Sequence, residues 1–132
     1  MIRVIAATRS SRDDFYERSW LYRSLQRYVE SDVLVIDVVF ENHRGLPEVY
    51  NEAIDRAGDE DILIFAHDDL FISDLNFVER VERALARFDV VGLAGNVRRV
   101  ARQISWISAD GVKNDDPENL SGIVAHPRED GN

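Results

Sequence analysis

The sequence predicts an α/β protein in which helices cover both faces of a mainly parallel sheet, a three-layer αβα arrangement. Short apolar runs rich in Val, Ile and Leu alternate along the chain with segments whose apolar residues recur at helical spacing. The predicted order is β-α-β-α-β-α-β, which favours parallel strands joined by right-handed crossovers. A length of 132 residues with 45% hydrophobic composition suits a single core. We therefore expect one domain over residues 1–132.

The first strand and helix are predicted from the opening segment. Residues 2–7 are apolar except for Arg3, and the polar residues after them suit a turn. Ser10, followed three residues later by Asp13, resembles a capping box, so we expect a helix from there to about residue 29. Its predicted buried face consists of Leu21, Leu25, Tyr28 and Val29.

The second strand, second helix and third strand follow in the same alternation. Residues 33–40 are nearly all apolar and rich in β-branched side chains, which is typical of a strand covered on both faces. After a polar loop, Pro47 suits the first turn of a helix and Gly58 suits its C-terminal cap. Residues 61–69 predict a buried third strand that stops at two carboxylates. The predicted buried face of the second helix is Tyr50, Ala53, Ile54 and Ala57.

The rest of the chain is predicted to be less regular. Ser73 or Asp74 can cap a third helix that extends to about residue 87, and residues 89–95 predict a fourth strand interrupted by glycines. The predicted buried face of this helix is Val78, Val81, Leu85 and Phe88. Further on we expect a short strand at 104–107, a polar loop at 110–119, another strand within 119–126 and a frayed end at 126–132.

Composition narrows the class of protein. A net charge of −9 and a pI near 4.7 argue against a nucleic-acid or anionic-membrane binder, because such partners need a basic face. No apolar run approaches the ~18 residues of a transmembrane helix, and the first residues lack the apolar core of a secretory signal. Cysteine is absent, so any metal would be held by oxygen or imidazole. We expect a soluble, cytoplasmic protein that begins with its first strand.

A candidate ligand site lies where the predicted strands end. In parallel α/β sheets ligands bind beyond the carboxyl ends of the strands, which here carry Thr8 and Arg9, Glu41 and Asn42, and His67, Asp68 and Asp69. Two adjacent carboxylates repel each other unless a cation lies between them, and Mg²⁺ or Mn²⁺ carrying a phosphate is the usual occupant. The alternative interpretation of Asp68-Asp69 is a solvated acidic turn or a helix cap.

Several elements of this pattern stand in the order found in a known enzyme family. Gly45 is followed by Asn51 on a helix, by Gly58, and by a hydrophobic strand ending in His67-Asp68-Asp69. This order resembles the nucleotide-sugar-binding half of GT-A-fold glycosyltransferases of the family-two type, in which a similar strand ends in an Asp-x-Asp motif. Asn42, the segment 45–51 and the segment 88–96 together match one bacterial subgroup of such proteins. The resemblance covers about residues 1–126.

The resemblance implies a truncated GT-A-like fold and a site for a nucleotide-diphospho-sugar donor. The acceptor of the sugar would be a saccharide, a lipid or a protein. Mn²⁺ or Mg²⁺ bound to Asp68 and Asp69 would neutralise the diphosphate leaving group. The residues implied in donor binding are Thr8, Arg9, Glu41, Asn42, Gly45, Asn51, His67 and Asp68.

The chain departs from the family pattern in two places. Ala66 stands where the family motif has its first Asp, and the chain ends before the acceptor-binding half that carries the catalytic base of inverting members. The catalytic residue is therefore unknown, and Asp115 and Asp116 are interpreted as ordinary solvated turn residues. The chain is interpreted as a donor-binding half, which is a fragment, a truncated copy or a degenerate relative.

Three functional hypotheses remain open from the sequence. The first is a transferase completed by missing residues or a second subunit, since an uncovered sheet edge would favour self-association. The second is a non-catalytic module that keeps donor affinity or only the fold. The third is a Mg²⁺-binding signalling domain of the receiver type, which is disfavoured because such domains have an acidic pair where this chain has Thr8 and Arg9.

Overall fold

The protein is α/β and contains a three-stranded parallel sheet with helices. The computed structural model describes residues 1–98, 100–103, 105–108 and 111–121. The chain divides into two compact units, Met1–Phe77 and a second that begins at Val78. None of the helices in the described part of the chain is long and apolar enough to cross a membrane.

The first unit is built on a parallel sheet of three strands. Strand β1 spans Ile2–Ala7, β2 spans Leu34–Val39 and β3 spans Ile62–Phe65, with the spatial order β2-β1-β3. Ile2 of β1 lies opposite Leu34 of β2 and Ile62 of β3, so all three strands begin at the same level. The three predicted strands of this unit and their parallel arrangement are confirmed.

The segment predicted as one helix from Ser10 to about residue 29 is two helices, so that prediction is wrong. Helix α1 spans Arg12–Arg18 and α2 spans Trp20–Glu30. Ser19 between them is extended, with ψ of 129°, and accepts a hydrogen bond from the Tyr22 backbone N–H as the N-cap of α2. The N-cap of α1 is Ser11, whose hydroxyl accepts a hydrogen bond from the Asp14 backbone N–H. The predicted pair, Ser10 and Asp13, is therefore displaced by one residue.

Helix α3 spans Leu46–Arg56 and helix α4 spans Phe77–Leu85. Helix α3 begins at the N-cap Gly45 with a proline in its first turn, as predicted, and its C-cap is Ala57 rather than Gly58. Its buried residues are Val49 and Ala53, whereas Ile54 is 52% exposed, so the predicted buried face is rotated by about one residue. In α4, Phe77 is buried and the predicted core residue Phe88, beyond its end, is exposed.

The core of the first unit lies around the central strand. Val4 and Ala6 have no exposed surface, and Leu21 and Leu25 of α2 are equally buried, as predicted. An ion pair also joins β1 to β2, because the Arg3 guanidinium donates two hydrogen bonds to Asp37 Oδ2, at 2.6 and 2.8 Å. The Asp37 hydrogen bond and charge raise the pKa of Arg3, so the guanidinium stays charged.

The second unit lacks the predicted fourth strand of the parallel sheet. Residues 89–94 form no strand, and β4 comprises only Gly95–Asn96, paired antiparallel with β5 at Leu120–Ser121. Glycines weaken a strand because they contribute no side-chain packing and lose more backbone entropy on ordering. A short 3₁₀ helix at Pro117–Asn119 lies within the predicted polar loop. Residues 105–107 form no strand, and the predicted frayed end at 126–132 lies outside the described residues.

Asp115 is a buried centre of polar contacts in the second unit, so its interpretation as a solvated turn residue is wrong. Its side chain is only 4% exposed, accepts a hydrogen bond from Asn96 Nδ2 at 2.9 Å and forms an ion pair with Arg98, whose Nε lies 3.1 Å from Oδ2. It also accepts from Asn119 Nδ2 and from the Asp116 backbone N–H. These donors lower the pKa of Asp115, with the Asn96 hydrogen bond as the largest cause.

The depressed pKa of Asp115 predicts a stability change at acid pH. The ionised carboxylate stabilises the fold above the ordinary pKa of 3.8, and that contribution is lost as pH falls below 3.8 through the lower folded pKa. Asp115→Asn should therefore flatten the pH dependence of unfolding in this range. Trp106 lies in the second unit, so its fluorescence in a Trp20→Phe background can follow denaturant unfolding at each pH.

The matched control is Asp116→Asn, which removes the neighbouring exposed carboxylate. This variant should keep the acid dependence of the wild-type chain. An Asp115→Asn curve as steep as that of Asp116→Asn would contradict the assignment.

Candidate functional site

A cleft of about 340 Å³ in the first unit lies at the carboxyl ends of β1 and β3. The segments that follow parallel strands all begin at the same edge of the sheet, and α/β proteins bind ligands at that edge. The lining therefore combines the turn after β1, the first two helices and the turn after β3. The lining residues are Thr8, Ser10, Asp14, Phe15, Arg18, Ser19, Trp20, Asp68 and Asp69.

The carboxylate turn after β3 is fixed from α2. The Ser19 hydroxyl donates to the Asp68 backbone carbonyl at 3.0 Å, and the Leu21 backbone N–H donates to the same oxygen at 3.4 Å. The Leu70 N–H donates to the His67 carbonyl at 3.3 Å and closes the turn. Ser19 therefore caps α2 and holds the backbone of Asp68 at the same time, which places the carboxylate pair at the start of α2.

The turn after β1 is fixed by the chain that leaves β2. The Thr8 N–H donates to the Val39 carbonyl at 3.0 Å, and the Asn42 N–H donates to the Thr8 carbonyl at 2.8 Å. The buried Thr8 hydroxyl accepts from the Ser10 N–H at 3.1 Å, and the Ser10 carbonyl accepts from Glu41 at 3.0 Å. These bonds continue the β1–β2 pairing beyond the strands and link the turn after β1 to the segment after β2.

The cleft residues that were not predicted are Asp14, Phe15 and Arg18 of α1 together with Ser10, Ser19 and Trp20. Asp14 accepts from the Ser11 hydroxyl at 2.9 Å, and the Arg18 guanidinium lies 3.8 Å from Asp14. Phe15 is fully buried and packs edge-to-face against Phe40, which follows β2. The capping pattern in the sequence could have identified Asp14, because a helix that begins just after β1 starts at the same edge of the sheet.

The structure brings together three of the predicted site residues, Thr8, Asp68 and Asp69, in this cleft. The remaining predicted residues do not line it. Asn42 uses its side chain locally, donating to the Arg44 carbonyl at 2.9 Å and accepting from the Arg44 N–H at 3.2 Å. Gly45 caps α3, and the other predicted residues, all exposed, are Arg9, Glu41, Asn51 and His67.

The charge of the cleft restricts what it can bind. Its lining carries three carboxylates, from Asp14, Asp68 and Asp69, and one guanidinium, from Arg18. A bare nucleoside diphosphate would be repelled by this lining, whereas a cation or a neutral hydrogen-bond donor would be attracted. An anion can therefore enter favourably only together with a cation.

The donor set suits a hard divalent cation. Mg²⁺ is commonly held by one or two carboxylates, with waters and substrate phosphates completing its coordination. Asp68 and Asp69 both line the cleft, so two adjacent carboxylate residues are available for this pattern. Among the residues that the structure describes, no three His, Asp or Glu side chains form a group that could hold a metal ion. The ion would thus depend on oxygens supplied by the ligand.

Comparison with known proteins gives no relative, since the chain matches no family model, no curated protein and no solved structure.

The double role of Ser19 generates a testable prediction. Ser19→Ala removes both the cap of α2 and the hydrogen bond to Asp68, so we expect a loss of about 1 kcal/mol of unfolding free energy, typical of a lost N-cap. We also expect faster hydrogen exchange at the Asp69 and Leu70 amides, because the turn loses its anchor. Denaturant unfolding and amide exchange measured by NMR would test the two effects.

Ser19→Thr is the matched control, because it keeps the hydroxyl at the same position. It should restore most of the stability and slow the exchange at Asp69 and Leu70. If Ser19→Ala lowers stability without changing exchange at these amides, the hydroxyl acts only as a helix cap.

Proposed function

We propose that this chain is a GT-A-like domain that binds a nucleotide-diphospho-sugar together with Mg²⁺ or Mn²⁺. The observation that carries the proposal is the cleft at the carboxyl ends of β1 and β3, where Thr8, Asp68 and Asp69 come together. The order of motifs along the sequence supports the same class of ligand. In an intact enzyme the reaction would transfer the sugar to an acceptor, with residues beyond this cleft completing the site.

The residues of the cleft have distinct tasks in this proposal. Asp68 and Asp69 hold the cation, which would neutralise the diphosphate leaving group when bound. Ser19 keeps Asp68 in position through its backbone carbonyl. Ser10 and Thr8 place their turn against the ligand from the β1 side, where hydroxyl and backbone groups can hydrogen-bond a nucleoside.

A non-catalytic binding module is the second candidate, and one observation favours it. Ala66 stands where the family motif has its first Asp, and its side chain is buried at 4% exposure. The position that would supply a further carboxylate therefore faces the protein interior. Without the first Asp of the motif, the site suits donor binding better than leaving-group activation.

A receiver-type signalling domain is the least favoured candidate. Asp14 lines the cleft from α1, but within the described part of the chain it forms no metal-holding group with Asp68 and Asp69, and Thr8 and Arg9 follow β1 directly. Such a domain would bind Mg²⁺ with no need of a nucleotide. Metal binding alone therefore cannot separate these functions, and the nucleotide arm of the experiment below does so.

We predict that nucleoside diphosphates stabilise the chain only when Mn²⁺ or Mg²⁺ is present. UDP, GDP and CDP should each be titrated with and without metal while thermal unfolding is measured. A ligand at about 100 times its Kd adds roughly 2.7 kcal/mol to the unfolding free energy, which gives a shift of several degrees. Asp68→Asn and Asp69→Asn should abolish the metal-dependent shift because they remove the charge that holds the cation.

The control variant is Asp55→Asn, which removes an exposed carboxylate on α3 outside the cleft. It should respond to metal and nucleotide as the wild-type chain does. Stabilisation by Mg²⁺ alone would favour the receiver-type reading. If no nucleotide stabilises the chain with either metal, the donor-site proposal is wrong; donor binding without sugar transfer or hydrolysis would favour the binding module.

A further inference from the structure

We infer that Trp20 is a stacking platform for a sugar ring in the carboxylate cleft. The inference rests on the same cleft as the proposed function and names the part of the ligand that the indole contacts. The inferred ligand is a neutral pyranose ring, which has apolar C–H faces and hydroxyl groups at its edge. That ring belongs either to the donor or to a saccharide acceptor, and the experiment below separates these two sources.

The position of the indole supports this role. Trp20 is the first residue of α2, lines the cleft together with Asp68 and Asp69, and is 49% exposed. Trp20 lies against the exposed Phe71 ring, so the indole is part of a continuous apolar surface beside a polar cleft, which is typical of a binding surface. Sugar rings suit such a surface, since they present C–H groups to an aromatic face and hydroxyls to neighbouring acceptors.

The indole is held in place before any ligand arrives. The Phe71 ring packs against it edge-to-face at 5.9 Å, and the Arg23 guanidinium lies 5.8 Å from its centre. Arg23 is itself anchored by a hydrogen bond of 2.8 Å to the Glu17 carbonyl. These contacts favour one orientation of the half-exposed indole, which reduces the entropy lost when a ligand stacks on it.

The charges around Trp20 favour a neutral hydroxylated ligand. Asp68 and Asp69 line the same cleft, and ionised carboxylates act only as hydrogen-bond acceptors. Sugar hydroxyls are donors, so they can bind the carboxylate oxygens that a bound cation leaves free. Leu70 and Phe71, which follow the carboxylates directly, are 40% and 56% exposed, so apolar surface continues beside the acceptors. The apolar surface matches the C–H face of a sugar ring, and the acceptor oxygens beside it match the hydroxyl groups at the edge of the ring.

The test uses the full chain with Trp106→Phe as background, so that Trp20 is the sole tryptophan. The probes, all with Mn²⁺, are UDP, GDP and CDP, the corresponding UDP-, GDP- and CDP-sugars, and free methyl glycosides and disaccharides. Fluorescence of Trp20 and calorimetry report binding. Trp20→Ala should lower the affinity for sugar-bearing ligands roughly tenfold, as expected for a lost aromatic stack. It should leave the affinity for bare nucleotides unchanged. Trp20→Phe should keep most of the affinity.

Each outcome has a defined meaning. An effect on nucleotide-sugars but not on free saccharides identifies the donor sugar, and the reverse identifies a saccharide acceptor. Equal weakening of bare nucleotides and nucleotide-sugars shows stacking on the base and overturns the inference, while leaving the proposed donor site standing. Free saccharides that bind through Trp20 while no nucleotide binds would support the inference and overturn the proposed function. If no sugar-bearing ligand changes Trp20 fluorescence, the inference is wrong.

The exposed apolar residue Ile54 on α3 provides the control. Ile54→Ala removes similar apolar surface outside the cleft and should leave every affinity unchanged. A comparable loss of affinity in Ile54→Ala would show that the Trp20 effect is not local. Because the fluorescence arm uses an intact Trp20, the inference stays testable even if Trp20→Ala fails to fold.

Discussion

The pairing of β1 with a parallel strand on each side is the constraint on which the first unit depends. Ile5 lies opposite Asp37 of β2 and Phe65 of β3, so the three strands run in register towards one edge. The pairing continues past the strands, where the Thr8 N–H donates to Val39 and the Ala66 N–H donates to Ile5. The turns that follow β1 and β3 must therefore emerge side by side. The cleft is a consequence of strand direction before any side chain is considered.

The break at Ser19 turns this shared edge into a shaped site. Phe15 and Leu21 are both fully buried, yet six residues apart on one straight helix they would point about 120° away from each other. Ending α1 and starting α2 in a new direction allows both to enter the core. The extended Ser19 then exposes a helix start beside the β3 turn, and its hydroxyl bonds to Asp68. Core packing and site geometry thus depend on the same residue.

The parts of the fold that the sequence predicted well are those set by local pattern. The three parallel strands are short, apolar and β-branched, and nothing competes with that signal. The prediction of a strand over 89–95 is wrong for residues 89–94, because the valines there favour a strand while Gly92 contributes no side-chain packing to hold one. The break at Ser19 could not be predicted from helical spacing, because it depends on which core positions Phe15 and Leu21 occupy.

The site shows the same division between local and long-range information. The carboxylate pair and Thr8 could be placed at one edge because strand ends are readable from the sequence. The prediction that Asp115 is a solvated turn residue is wrong because its polar partners come close to it only in the folded second unit. These partners are Asn96, Arg98 and Asn119. A polar residue in a polar segment resembles a solvated turn until its partners are known. Trp20 likewise required the tertiary structure, since it reaches the cleft through the helix break.

The burial of Ala66 determines how this site can hold a cation. Ala66 is buried while Phe65 and His67 are exposed, so a carboxylate at this position would enter the interior without a partner, at considerable cost. In the proposed site, metal ligation would therefore come from Asp68 and Asp69, which lie in the turn beyond the strand. A turn is less rigid than a strand, so its precision depends on the hydrogen bonds of Ser19 and Leu21 to the Asp68 carbonyl. One backbone oxygen, the Asp68 carbonyl, thereby couples the position of the carboxylate turn to the start of α2, and the proposed cation affinity would depend on that coupling.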